Sequence, residues 1–186
     1  MYPNLVVTVL PRIEESLWAK AILAIVGTAV LALSAKVQIP FWPVPMTMQT
    51  FVVLVLGMAY GARLGAVTVG LYLIEGAAGL PVFATGSGLA YIAGPTGGYL
   101  IGFILASYVI GMLANRGWDR SMTKTLGAML AGTVIIFFLG IAWLSTFIGF
   151  EKAIAAGLTP FLLSEGLKIA LAVIIMPLLW KRLSTK

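Results

Sequence analysis

Residues 79–103 read GLPVFATGSGLAYIAGPTGGYLIGF, and the reading of this stretch decides the fold. It carries no charge, lies between apolar runs, and holds glycine and proline too densely for a regular helix or an ordinary hydrophilic loop. In a bilayer, backbone leaves the helix only where protein or a cavity satisfies its polar groups. Such a stretch either packs helices together as a tight re-entrant connection or lines a ligand site. The second use is the expectation here.

Composition names the solvent. A chain of 186 residues that is 61% hydrophobic, with 12 Lys plus Arg and 6 Asp plus Glu, has too much apolar surface for one water-soluble core, so it is expected to be an integral membrane protein. Without Cys or His there is no disulfide, thiol nucleophile or imidazole base, and a zinc or haem centre lacks its usual ligands. No metal and no cofactor are expected. The net charge of +6 would suggest nucleic acid in a soluble protein. Here the cations stand at the ends of apolar runs, where they report topology, and no nucleic-acid partner is expected.

Working outward, the apolar runs predict an all-α integral membrane protein with six transmembrane helices, near residues 17–35, 49–58, 64–78, 98–113, 126–147 and 160–180. Residues 1–16 form a short lead that is expected to stay uncleaved, residues 17–180 a single transmembrane domain, and residues 181–186 a basic tail. Arg12, Lys20, Arg63, Arg116, Arg120, Lys124, Lys181, Arg182 and Lys186 fall on one face, against Lys36 and Lys152 on the other. Both termini are therefore expected in the cytoplasm, with the ordered connections 36–47 and 79–97 and the loop 148–159 outside.

Three further features carry chemistry. The turn KVQIPFWPVPMT, residues 36–47, is stiffened by Pro40, Pro43 and Pro45 and presents Phe41 and Trp42, either as interface markers or as a lid. In PFLLSEGLK, residues 160–168, Glu165 and Lys168 are three apart, on one helical face and one to two turns inside the outer end. They form either a structural ion pair or a cation and an acceptor for a small polar head group. Tyr99 and Ser164 supply hydroxyls, and Glu75 has to face protein or water. On the first helix Ala21, Ala24, Thr28, Ala32 and Ala35 make a small-residue stripe that admits a neighbouring helix at short distance. No GxxxxGK[ST] phosphate loop is present, so ATP hydrolysis by that route is excluded for this chain.

IPFWPVPMTMQTF at residues 39–51, LYLIEGAAGLPVFATGSGLAYIAGPTGGYLIGF at residues 71–103 and TPFLLSEGLKIAL at residues 159–171 resemble the BioY family. That family comprises the biotin-specific substrate-binding (S) components of energy-coupling-factor (ECF) transporters. The resemblance implies a six-helix S component, without enzymatic activity, that captures biotin in a bacterial cytoplasmic membrane. Transport would depend on a transmembrane coupling protein and two ATP-binding cassette ATPases. It also implies Glu165 and Lys168 as ligand residues, with Tyr99, Ser87, Tyr91 and Phe83 near the ligand and Phe41 and Trp42 covering it. The stripe at Ala24, Thr28 and Ala32 is the expected partner contact. Either the ureido carbonyl or the carboxylate of biotin suits Lys168, and Lys168→Ala is expected to weaken binding more than Glu165→Gln. The alternative is an ion- or proton-coupled carrier using Glu75, Glu165 and Lys168, against which stands the lack of a repeat between residues 17–78 and 98–180.

Overall fold

The last seven residues of the quoted stretch open the central helix of the molecule. In the computed structural model, which describes residues 3–184, the chain runs α1 (Leu5–Val9), α2 (Leu17–Lys36), β1 (Gln38–Ile39), β2 (Met46–Thr47), α3 (Gln49–Tyr60), α4 (Ala62–Ala77), α5 (Leu89–Ile92), α6 (Gly97–Ala114), α7 (Met122–Ile148), α8 (Phe150–Gly157) and α9 (Leu162–Ser184). Lys186, counted above with the basic face, lies outside the described residues. Helix α6 packs against α7, α4 and α3. Glycine allows this closeness: a Cβ added at Gly102 would lie 3.0 Å from the Ile136 Cα on α7, and one at Gly98 would enter the space of Trp143 and Leu139.

Four helical segments are long and apolar enough to cross a membrane: α2, α6, α7 and the run 150–183 that contains α9. The expectation of six spans is corrected on this criterion. Helix α3 has 12 residues and α4 has 16, so at about 1.5 Å per residue they reach roughly 18 and 24 Å, short of a hydrocarbon core of about 30 Å. Large apolar side chains are exposed along the outside, including Ile22, Ile25 and Leu33 on α2 and Val134 and Phe138 on α7, as a lipid-facing surface requires.

Two segments read as irregular are ordered differently. The loop expected at 148–159 folds as α8 and a 3-10 turn at Thr159–Phe161, started by Gly149 at φ 82°. The lead contains α1, capped by Asn4, whose amide also donates to the Tyr60 carbonyl at the end of α3 (3.0 Å). The proline-rich turn is closed by a two-residue antiparallel ribbon that pairs Gln38 with Thr47 and Ile39 with Met46.

The non-helical backbone of residues 79–88 folds back onto α4, with the Gly88 N–H on the Gly76 carbonyl (2.7 Å) and left-handed φ at Gly79 and Gly88. Three successive carbonyls find donors: Val82 from the Tyr72 hydroxyl (2.9 Å), Phe83 from Lys36 Nζ (2.6 Å) and Ala84 from Gln38 Nε2 (3.3 Å). Protein groups thus meet the bilayer's demand on irregular backbone. At the opposite end, the 115–121 connection anchors α9. Trp180 Nε1 donates to the buried Asp119 carboxylate (2.6 Å), and Arg120 lies over the Trp180 ring at 4.2 Å. Burial pushes the Asp119 carboxyl above its ordinary range, with the Trp180 bond and the Arg120 charge opposing.

Candidate functional site

Charge in an apolar helix demands a partner, and α9 meets the demand with α3. Glu165 and Lys168 are 4% and 7% exposed. Lys168 Nζ donates to Glu165 Oε1 (2.6 Å), to the Thr47 carbonyl (2.7 Å) and to Thr50 Oγ1 (2.9 Å), while the Thr50 hydroxyl donates to Glu165 Oε1 (2.9 Å). An ammonium has three protons, and all three are engaged. Glu165 Oε2, in contrast, is buried without a hydrogen-bond partner among the described residues. An orphaned carboxylate oxygen is costly unless a donor arrives.

Glu165 lies on the wall of a narrow cavity whose other faces include Gln49, Thr50, Tyr91, Phe137 and Phe161. The enclosed space is about 40 Å³, enough for a few waters and well below the roughly 300–1,000 Å³ of ordinary small-molecule sites. Gln49 is buried, donates to the Tyr72 hydroxyl (2.7 Å), and so joins the start of α3 to the carbonyl that Tyr72 holds in the glycine-rich segment. Phe41 leans on Phe161 with ring centroids 6.4 Å apart, at the edge of the cavity.

The other expected residues divide. Tyr91 and Tyr99 line the cavity, but the Tyr99 hydroxyl is engaged by the Gly157 carbonyl (2.8 Å), leaving its ring as the contact surface. Phe83 is fully buried behind the lining, stacked on Tyr91 at 5.0 Å and edge-on to Tyr72 at 5.4 Å. Ser87 is exposed and away from the lining, as is Trp42, which instead borders an outer groove. Ser164 bonds back to the Phe161 carbonyl (3.0 Å). Glu75 accepts from Thr28 (3.0 Å) and does not join the cluster. In the first-helix stripe, Ala24 and Thr28 are buried within the chain's own fold, where α2 packs on α4, and Ala32 is half-buried. Sequence reasoning missed Thr47, Gln49 and Thr50, whose signal was three polar residues at the mouth of an apolar helix.

A buried polar cluster beside an aromatic cavity, set between apolar helices, is the candidate site of this chain. Comparison with known proteins agrees in fold and family. Residues 10–185 match the BioY family. The chain is 40% identical to the probable biotin transporter BioY of Pyrococcus horikoshii over 79% of its length and 87% of that protein's. It is also 40% identical to the biotin transporter BioY of Thermotoga maritima, over 80% and 88%. Its structure resembles the crystal structure of the S component for biotin from an ECF-type ABC transporter, with TM-score 0.73 and 26% identity, covering 87% of this chain and 90% of that one. The chain belongs to the BioY family.

Proposed function

We propose that this protein captures biotin as the S component of an ECF-type transporter. The observation that carries the reading is the buried, unpartnered Glu165 Oε2 at the wall of an aromatic cavity. Biotin's ureido group offers two N–H donors to such an acceptor, and its apolar bicyclic ring suits Tyr91, Phe137 and Phe161. Lys168, with every proton engaged, acts on this reading by holding Glu165 in place. The weight expected from the sequence thereby moves from the lysine to the carboxylate. A cavity of about 40 Å³ has to widen to admit biotin, and the Phe41 to Phe161 contact is the lid that opens.

The chain itself is no enzyme; a transmembrane coupling protein and two ATPases would supply the energy. Both termini face the cytoplasm in this reading, with six membrane segments of which α3 and α4 end below the surface. Because Ala24 and Thr28 are buried against α4, close partner approach falls to the face of α2 where Ala21 and Ala29 are exposed, with Ala32 at its edge.

The test is equilibrium binding by the purified chain in nanodiscs. Biotin is expected to bind in preference to an analogue methylated on the ureido nitrogens, and Glu165→Gln to weaken biotin binding at least about tenfold while the protein stays folded. Equal retention of biotin and an unrelated apolar carboxylic acid would refute the assignment.

A further inference from the structure

Outside the lid lies a second concave surface. An open groove of about 600 Å³ runs between the tip of the proline-rich turn and α8, walled by Trp42, Phe147, Ile148, Ala155 and Ala156, with Lys152 as its charged residue. One aromatic contact links the two walls through the chain: Phe41 precedes Trp42, which borders the groove, and leans on Phe161, which lines the inner cavity. We infer that the groove is an outer subsite for the carboxylate end of the ligand, with Lys152 as its counter-charge. This inference rests on the biotin reading of the inner cavity.

The argument is one of charge. Biotin has a ureido ring at one end and a carboxylate at the other, separated by an aliphatic chain. Inside, the buried lining atom left without a partner among the described residues is an acceptor, Glu165 Oε2, which suits ureido N–H donors and repels an anion, and the Tyr91 and Thr96 hydroxyls that also line the cavity carry no charge. The inner ammonium, Lys168, has its three protons on Glu165, Thr47 and Thr50. Lys36, also at the outer end of the bundle, is engaged by the Phe83 carbonyl at 2.6 Å. Lys152 is exposed and makes no hydrogen bond or ion pair among the described residues, although Glu151 is its neighbour in sequence. The ligand therefore lies with its ring inward at Glu165, its chain beneath Phe41, and its carboxylate in the groove at Lys152. Trp42 and Phe147 cover the aliphatic part.

A chemical cycle tests this orientation: wild type and Lys152→Gln, each titrated with biotin and with biotin methyl ester in uncharged nanodiscs. Because Lys152 is exposed, the effect is modest. Lys152→Gln is expected to lower biotin affinity about three- to tenfold, more at low salt than at high, while leaving ester affinity unchanged and Lys152→Arg near wild type. Retained ester binding shows that the variant is folded. Wild-type biotin affinity in Lys152→Gln, or equal loss of acid and ester, overturns the subsite and leaves the biotin reading standing. If the wild-type chain binds neither compound, the biotin reading itself fails and the subsite falls with it.

Discussion

Helices α6 and α7 meet through glycine; α3 and α9 meet through charge. At the first seam Gly98, Gly102, Gly132 and Gly140 bring backbone and side chains of the two helices so close that a single added methyl group would collide. At the second, Thr47, Thr50, Glu165 and Lys168 are held by four hydrogen bonds, and one buried oxygen is left over. The glycine pair of helices offers the cavity aromatic surface, Tyr99, Phe103 and Phe137, and no charge. The charged seam adds an acceptor, because Glu165 lines the cavity and the carboxylate is held through one oxygen while the other has no partner among the described residues. Close backbone packing and polar recognition thus fall to different helix pairs around the same bundle.

The sharpest test of that division is removal of the lysine. Lys168→Ala strands the Glu165 charge and the Thr47 carbonyl inside the protein, at a cost of about 3 to 5 kcal/mol, read as a large drop in thermal unfolding temperature in nanodiscs. Replacing both charges together by Glu165→Leu and Lys168→Met should recover most of that stability and no biotin binding. If the double variant still bound biotin, the charged seam would be a structural ion pair only, and the contrast between the seams would collapse.

That seam was half legible in the sequence. Glu165 and Lys168 stand out because charge in an apolar run needs a reason, and their spacing of three puts them on one face. Thr47, Gln49 and Thr50 do not stand out, since hydroxyls and amides at a helix start commonly cap their own backbone, and their partners lie over a hundred residues away on α9 or across the bundle at Tyr72. Gly98 and Gly102 stand in a G-x-x-x-G spacing that the sequence displays, but their partner α7 comes only from the structure. Tyr99 was placed near the ligand, yet its hydroxyl is taken by Gly157 at the end of α8, a helix that had been read as loop. Ala24, Thr28 and Ala35 of the small stripe on α2 are buried because the same small side chains that suit a partner also suit the chain's own helices, α4 among them.

A smaller effect probes the glycine seam. Gly102→Ala places its methyl group 3.0 Å from the Ile136 Cα and 3.2 Å from its carbonyl oxygen, where backbone rather than a flexible side chain has to give. About 2 kcal/mol of destabilisation is expected, with biotin affinity of the folded fraction unchanged. Gly70→Ala is the control, because a Cβ there meets nothing within 4 Å and alanine favours the helix by up to about 1 kcal/mol. A Gly102 variant that kept its stability but lost affinity would place recognition on the glycine seam and reverse the comparison.

The finest test is a single hydroxyl. Thr50 Oγ1 accepts from Lys168 and donates to Glu165, so it fixes the direction in which the carboxylate points as well as the separation of the two charges. Thr50→Val keeps shape and β-branching and removes both bonds. The ion pair itself remains, since the 2.6 Å contact between Lys168 and Glu165 and the bond to the Thr47 carbonyl do not pass through Thr50. Stability should therefore fall by only about 1 to 2 kcal/mol, the cost of leaving one ammonium proton and one carboxylate lone pair without a buried partner. Affinity should respond more than this small loss suggests, because Glu165, freed to rotate, can turn Oε2 away from the cavity or offer both oxygens to Lys168. Titration of Thr50→Val and Thr50→Ser with biotin, alongside thermal unfolding without ligand, separates the two effects. Serine restores the hydroxyl and is expected to restore affinity, while valine is expected to bind several-fold more weakly. Equal affinity in the valine and serine variants would show that Glu165 needs no orienting partner, and Lys168 alone would then set the geometry of the charged seam.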